Sequence, residues 1–385
     1  MRKIIFVLLV IQHIANAQSY IKSEYQLGLL NSSINAQNIL DGQGYLNENF
    51  KTNFINQLDS ENQIFLESDY LLEYDHKKKW GLGYNNKSFL YVNFSDDLVR
   101  LALYGNGAFL GEKLNLSPLN ILLNNYSQFY YKLHINSKIN SSLSFVLGHQ
   151  LAEINVNKAD FTTENLGTSI EYSLALDAHF SDTSLLLNPL SVNGFGIALS
   201  VNYTDTINNS IINVELSDFG LIKWNNKTLN INTENNYSFE GIEINSFSDI
   251  NENIISDELE KIEQDLDNQT SSYYHYRLPY RFHMGINQPL NSIVVNQFTL
   301  AFDYINTLYP NPRWLFQVHK KIKKSKFSLG YHYGGLEYPG LEFGYTFTGK
   351  KNTFMLYTKQ ANYFAPKNIY GAQIGLSYKR ILNSN

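Results

Sequence analysis

The sequence predicts an all-β fold, a transmembrane antiparallel β-barrel of about 14 strands. The first observation behind this prediction is a long alternation of apolar and polar residues that runs from Leu166 to Phe180. A period of two is typical of a β-strand with one apolar and one polar face, and about ten residues cross a bilayer as a tilted strand. The second observation is an export signal at the N-terminus. The third is that no later apolar run approaches the roughly 18 residues of a transmembrane helix.

Residues 1–17 have the pattern of a secretory signal peptide. Two basic residues precede the apolar run Ile4–Ile11, and Ala15–Ala17 form a small-x-small cleavage site. The alternative is an uncleaved N-terminal helix, which this cleavage site disfavours. We therefore expect residues 1–17 to be removed and residues 18–385 to form a single barrel domain in the outer membrane.

Composition excludes several other classes of protein. The chain of 385 residues carries a net charge of −5, which argues against a nucleic-acid partner. It contains no cysteine, so lipidation, disulfides and cysteine metal sites are excluded. Aromatic residues make up 14% of the chain, with 28 tyrosines and 24 phenylalanines, and they suit the two girdles where a barrel wall meets the lipid headgroups. We therefore expect outer-membrane lipid to be a partner.

The same alternation recurs along the chain, and turn signals separate the alternating runs. A mature chain of this length, at roughly 25 residues for each strand and its loop, gives the same strand number. Tight hairpins are predicted at Asn85–Lys87, Asn208–Asn209 and Gly349–Lys351. The further alternating runs are Ile64–Asp75, Leu143–Leu147, Phe195–Tyr203, Leu278–Ile286, Phe298–Tyr304, Phe327–Tyr333, Leu341–Phe347 and Ile374–Tyr378.

Two regions do not have the pattern of a barrel wall. Residues 31–60 are rich in Asn, Gln and Gly, and we interpret them as a plug or a surface loop. Residues 254–268 predict a short amphipathic helix in a long loop, because Ser256 can cap its N-terminus and Ile255, Leu259 and Ile262 fall on one stripe. The alternative is a solvated acidic loop with incidental spacing.

Two sequence blocks carry a resemblance to a known family. The first is Asp96–Leu101, which leads into Tyr104–Gly107, and the second is Asp218–Trp224, which Phe239–Ile242 follow. Their order and spacing resemble an uncharacterised family of Bacteroidota outer-membrane barrels, a domain of unknown function. That family is similar in outline to barrels of the fatty-acid-transporter type, with about 14 strands and a plugged lumen. The resemblance spans roughly Tyr20–Leu382 and implies a fold and a compartment, without catalytic residues.

The charged side chains of the alternating runs are the candidates for the barrel interior. If the apolar faces meet lipid, the residues between them face a wet lumen, where charges cost far less than on the lipid side. One hypothesis is a polar permeation or docking path with an acidic bias. The other is that these groups pair and make the wall rigid. The candidates are Glu67, Asp69, Glu73, Glu171, Asp177, His179, Arg281, His283 and Asp303.

The block Asp218–Trp224 breaks the period of two. Asp218 and Gly220 predict a bulge or bend, where a wall can open sideways and release a hydrophobic ligand into the membrane. Together with Trp224 they are the wall-break candidates. The alternative is that Trp224 belongs to an aromatic girdle after a hairpin.

Three functional hypotheses follow from these observations. The first is a transport or channel protein for a small or hydrophobic ligand. The second is an accessory barrel that docks a protein partner through its loops in a secretion or surface-motility complex. The third is a hydrolase at the barrel rim, which we disfavour, because the histidines show no metal spacing and no context marks a nucleophile. We expect no enzymatic activity, no cofactor and no metal.

Overall fold

The computed structural model describes residues 18–42, 46–181, 191–240, 269–306, 308, 311–335, 339–359 and 369–382. The predicted signal peptide 1–17 and the predicted loop helix 254–268 lie outside the described residues. Among the described residues, no helix has the length and apolar character needed to cross a membrane.

Strands form most of the described chain, and three short α-helices and one 3-10 helix (Asn106–Phe109) lie between them. The α-helices are α1 (Ala36–Asp41), α2 (Glu48–Ile55) and α3 (Asp96–Tyr104). The strands are β1 (Tyr20–Asn31), β2 (Glu61–His76), β3 (Trp80–Ser95), β4 (Lys113–Asn115), β5 (Leu119–His134), β6 (Ile139–Thr163), β7 (Ile170–Phe180), β8 (Gly194–Ile207), β9 (Ser210–Trp224), β10 (Leu229–Phe239), β11 (Gln269–Ser271), β12 (Tyr274–Arg277), β13 (Arg281–Pro289), β14 (Gln297–Ile305), β15 (Arg313–Ile322), β16 (Ser325–Tyr333), β17 (Gly340–Thr348), β18 (Asn352–Lys359) and β19 (Gly371–Ile381).

Fourteen of these strands close into a barrel. The ring runs β1–β2–β3–β5–β6–β8–β9–β13 and continues in chain order through β19, which pairs back with β1. In that closing pair Tyr20 lies opposite Ile381, and all ladders of the ring are antiparallel. The predicted fold class, an antiparallel barrel of this size, is confirmed.

The two ends of the barrel differ in the connections they carry. Short turns, among them 77–79, 208–209 and 323–324, lie at the end where β1 begins and β19 finishes, which we call the short-turn end. The opposite end carries long connections and is called the long-loop end. Asn208 and Asn209 both have positive φ, as a two-residue hairpin turn of type I′ requires. The hairpin predicted there is confirmed.

The turn predicted at Asn85–Lys87 is wrong. These residues lie in the middle of β3, where they pair with Ser127 and its neighbours on β5. Asn85 and Lys87 line the barrel interior. Because one face of every strand is polar in a water-filled barrel, a run of polar residues does not by itself mark a turn.

Side chains alternate between an apolar outer face and a more polar inner face. Leu66, Leu143 and Phe145 are exposed on the outside, whereas Asp75 is fully buried on the inner face. Tyr74 and Trp80 contact each other outside the wall near the short-turn end, with ring centroids 5.7 Å apart. Aromatic rings at this level are typical of the interfacial girdle of a transmembrane barrel.

The sheet forks at the long-loop end. β6 pairs with β8 through Ile139–Gly148, and its upper part, from Ala152 onward, pairs with β7. β7 pairs in turn with β10, so these strands form an extension above the ring. The alternation at 166–180 therefore predicted a strand correctly over Ile170–Phe180. That strand lies in the extension and is not one of the fourteen ring strands.

Region 31–60 forms part of the long-loop end. Asn35 and Asn47 accept hydrogen bonds from backbone N–H groups and cap α1 and α2. The Nζ atom of Lys51 in α2 lies 5.0 Å from the ring centroid of Tyr104 in α3, so the two helices contact each other. The helices of this region join β1 to β2 above the ring.

The assignment of faces predicts that arginine is costly at one residue and tolerated at another three positions away. Phe145→Arg should lower the free energy of unfolding by about 2–4 kcal/mol, because its side chain faces the bilayer near mid-height. Ser142→Arg should have little effect, since Ser142 faces the interior cavity. Urea unfolding in lipid vesicles, with heat-modifiable migration on gels as the folding check, measures both. Equal losses in the two variants would contradict the assignment.

Candidate functional site in the lumen

A cavity of about 690 Å³ occupies the barrel interior. Its lining begins near the short-turn end, at Tyr20 and Lys379, and reaches Phe65, Tyr126 and Leu308 toward the long-loop end. Residues from β1, β2, β3, β5, β6, β8, β9, β13, β14 and β19 contribute to this lining. The cavity is therefore enclosed by more than half of the ring.

A hydrogen-bonded network forms the part of the cavity near the short-turn end. Glu73 accepts hydrogen bonds from the hydroxyl groups of Tyr20 and Tyr130, both at 2.8 Å. The Nζ atom of Lys132 lies 2.6 Å from a Glu73 oxygen and 3.3 Å from the buried Asp75. Glu73, Asp75 and Lys132 thus have partners of opposite charge, which lets these charged groups remain in the interior.

A second group of charges lies higher in the cavity. Asp218 on β9 accepts hydrogen bonds from the Nζ atom of Lys87 and, at 2.8 Å, from Nε2 of Gln128. Asp69 on β2 lies 3.9 Å from the same lysine. Asp69, predicted as a lumen residue, and Asp218, predicted as a wall-break residue, therefore meet around one cation.

Four of the remaining predicted lumen residues also belong to the inner face of the ring. Glu67 lines the cavity and accepts hydrogen bonds from Gln26, at 2.6 Å, and from Gln373. Arg281 donates two hydrogen bonds of 2.6 Å to Asp303. His283 Nδ1 lies 3.6 Å from an Asp303 oxygen.

The last three predicted lumen residues lie elsewhere. Glu171, Asp177 and His179 are on β7, in the extension above the ring. His179 Nδ1 lies 2.7 Å from the side-chain oxygen of Asn230, and the imidazole stacks on Tyr274 with centroids 3.8 Å apart. The structure therefore does not bring these three together with the cavity residues, because the sheet forks below β7.

An apolar layer fills the interior next to the cavity, toward the long-loop end. Trp224 is fully buried in it, and a Cβ atom added at Gly148 would lie only 2.7 Å from the indole ring. Trp224 therefore packs inside the barrel and does not belong to an outer aromatic girdle. The buried members of the layer are Leu30, Phe65, Phe89, Tyr126, Val146, Leu151, Ala198, Ile222, Trp224, Tyr276, Leu278 and Leu308.

β9 carries the irregularity that the sequence indicated. Its register against β8 shifts at Asp218, which has a φ of 60°. A bulge of this kind leaves two consecutive residues on one face, and Ser217 and Asp218 both line the cavity. Beyond the bulge, Gly220 lies so close to β8 that an added Cβ would be 2.2 Å from the Ile197 carbonyl oxygen.

The ladder on the other side of β9 is interrupted at the same height. β9 pairs with β13 as far as Ser217 and with β12 from Leu221 onward. Between these ladders the Leu278 N–H donates to the Gly220 carbonyl at 3.0 Å, and Pro279 has no N–H to donate. The wall is therefore held by fewer hydrogen bonds here. That the wall opens at this place stays a prediction.

A serine–histidine pair lies on the outer face of the wall at the fork. Ser127 Oγ is 2.9 Å from His149 Nε2, and His149 Nδ1 donates to the Ser191 carbonyl at 3.0 Å. Ser127 is only 3% exposed, and its oxygen is also 3.1 Å from both Tyr84 and Asn86. With its hydrogen-bonding capacity used in this way, the pair has the character of a structural contact. That the chain is not an enzyme stays a prediction.

Sequence reasoning found Arg281 but missed the lysines of the cavity. Lys87 was assigned to a turn, and Lys132 was not singled out. The signal for Lys132 was present, because Gln128, Tyr130 and Lys132 alternate with the apolar residues of β5. Within the described ranges no cluster of three histidine or acidic side chains has an arrangement suited to a metal ion.

Comparison with known proteins assigns the chain to a family. Residues 19–359 match the sequence model of a family described as a family of unknown function, DUF5723. The chain belongs to this family. The predicted resemblance to a barrel family of unknown function is thus confirmed, while its occurrence in Bacteroidota stays a prediction. No protein of curated function shows significant sequence similarity to this DUF5723 chain.

Several solved structures are similar to this DUF5723 protein at low identity. The toluene transporter TbuX of Ralstonia pickettii is 9% identical, with a TM-score of 0.41, over 96% of this chain and 90% of that one. The toluene transporter TodX of P. putida is 8% identical, with a TM-score of 0.43, over 96% and 91%. A FadL homologue of Pseudomonas aeruginosa is 8% identical, with a TM-score of 0.44, over 95% and 90%.

The apolar layer predicts a large difference between two tryptophans. Trp224→Ala should lower the free energy of unfolding by about 3–5 kcal/mol, because it removes a fully buried ring and leaves a cavity. Trp314→Ala should cost much less, since Trp314 is half exposed on the outer face. Urea titrations of the two variants in the same vesicles measure the difference. A Trp224→Ala barrel as stable as the wild type would show that the layer does not hold the interior together.

Proposed function

We propose that the protein is an outer-membrane β-barrel that carries a small solute through its lumen. The observation that carries this proposal is the cavity of about 690 Å³ inside a closed ring of fourteen strands. Barrels of about 8 strands are filled by their own side chains, whereas larger ones enclose a ligand cavity or a channel. A volume of this size is within the range of small-molecule sites.

The outer surface supports the assignment to a membrane. Apolar side chains form a band on the ring strands, and aromatic residues gather near the short-turn end. In bacterial barrels the short turns face the periplasm and the long loops face the outside. We therefore orient the barrel with β1 beginning at the periplasmic side and with helices α1–α3 at the cell surface.

The lining favours a solute that has both polar and apolar parts. Glu73 and Lys132 face one part of the cavity, and Phe65, Phe89 and Tyr126 face the other. The irregular stretch of wall at Asp218–Gly220 lies beside the apolar layer, and we assign to it the sideways exit of the more hydrophobic solutes. In this proposal the six predicted charges on the ring are the polar surface of the path.

The proposal predicts how the cavity responds when it is filled. Ser142→Trp should reduce solute flux several-fold, because Ser142 lines the cavity and an indole would occupy part of it. Leu143→Trp is the matched control, since the neighbouring side chain faces outward and should leave flux unchanged. Swelling of liposomes in a pentose, a hexose and a disaccharide measures the flux. Wild-type liposomes that swell no faster than empty ones would contradict the proposed function.

A second candidate function has one specific observation in its favour. The turn that joins β13 to β14, residues 290–296, exposes Ile293 at 92% and Val294 at 75%. Adjacent apolar side chains that are this exposed are candidates for a protein contact or a membrane contact. This turn lies at the short-turn end, so an accessory barrel would dock its partner there. The apolar layer in the interior would make such a barrel rigid.

Native mass spectrometry of the barrel, extracted gently from its own membrane, discriminates between the two functions. A retained small molecule without bound protein is expected for the transporter. A stoichiometric protein partner, lost in the double variant Ile293→Asp and Val294→Asp, is expected for the docking barrel. The matched control is Leu290→Asp in the same turn, which should reduce partner binding less because Leu290 is less exposed.

A further inference from the structure

We propose that the ion pair between Lys87 and Asp218 is a lock that closes the lumen between the cavity and the long-loop end. This inference rests on the proposed function, since it names the element that limits passage through the same lumen.

The pair joins strands that are not neighbours in the wall. Lys87 is on β3 and Asp218 is on β9, and three ring strands, β5, β6 and β8, lie between them. The two side chains can therefore meet only across the interior. The pairs Lys132–Glu73, Arg281–Asp303 and Arg313–Glu342, by contrast, join adjacent or next-but-one strands.

The bulge in β9 makes this contact available. On a regular strand the neighbour of the inward-facing Ser217 would point outward, toward lipid. The shifted register and the φ of 60° at Asp218 turn the carboxylate inward as well. Asp is one of the few residue types that adopt this conformation readily. The irregularity thus places an acidic group where it reaches a cation on the far wall.

The surroundings of the pair place it at a boundary. Asp218 is 5% exposed and also accepts from Gln128 of β5, so two strands hold it from the opposite side. Tyr126 both lines the cavity and belongs to the apolar layer. The lock therefore lies where the polar cavity meets the layer, and it ties β9, whose Ile222 and Trp224 belong to that layer, to the far wall.

Asp69 provides the alternative partner that a lock requires. It lies 3.9 Å from Lys87 on the adjacent strand β2. When Asp218 withdraws, Lys87 can pair with Asp69 along its own side of the wall, so that the buried cation keeps a charged partner. The pair can then open transiently without unfolding the barrel, and β9 is free to move away from β3 and β5.

The test uses the isosteric change Asp218→Asn, which keeps a residue type that tolerates positive φ. Purified barrel in planar lipid bilayers should show a conductance at least roughly tenfold above wild type, because loss of the charge shifts the equilibrium toward the open lumen. The charge swap Lys87→Asp with Asp218→Lys should return the conductance toward the wild-type value. Lysine at positive φ is tolerated in this chain at Lys77 and Lys78.

The matched control is Lys138→Met. It removes another lysine–aspartate pair, in which Lys138 Nζ lies 2.8 Å from Asp205, but Lys138 is half exposed at the short turn before β6 and does not line the cavity, so its loss should leave the conductance unchanged. An Asp218→Asn barrel that is folded and conducts no more than wild type overturns the lock. If wild-type liposomes carry solutes in that case, the proposed function stands alone. If Asp218→Asn conducts while wild type carries no solute, the lock stands and unaided transport fails.

Discussion

Closure of the backbone ladder is the constraint on which the rest of this structure depends. A bilayer offers no water to an unpaired N–H or C=O group, so each ring strand must be paired on both sides. The pairing of β19 with β1 completes that requirement. Once the ring is closed, every side chain of a ring strand faces either lipid or the interior. The apolar residues of the alternating sequence then contact lipid, and the polar residues between them line the lumen.

The places where the ladder is irregular are concentrated in one region. The bulge at Asp218, the change of partner of β9 from β13 to β12 and the fork of β6 all lie at the upper part of the same wall segment. Irregular backbone in a membrane protein is tolerated where protein packs against it. The buried Trp224 and Ile222 provide that packing from inside. The apolar layer and the irregular wall are therefore two parts of one arrangement.

Sequence could predict the wall because the wall obeys a local rule. The alternation in Ile64–Asp75 identified β2 and its inward charges, since burial on one face requires a period of two. The same rule failed at Asn85–Lys87, where polar residues on β3 have the composition of a turn. It also could not show that β7 leaves the ring, because the choice between β8 and β7 as the partner of β6 depends on distant residues. Helix α3 was missed although Ser95 caps it and two aspartates occupy its first turn, which are local signals.

The candidate site was predictable only in part for a related reason. The two-residue alternation of a strand indicates which face of the wall a residue occupies. It does not indicate which residue lies opposite across the lumen. Asp218 was singled out from the sequence because it breaks the period, but its partner Lys87 is 131 positions away and comes close only when the ring has closed. The bulge gives Asp218 a direction that no regular strand would give it. The irregularity thus interrupts the local ladder and at the same time forms a contact that the regular wall cannot make.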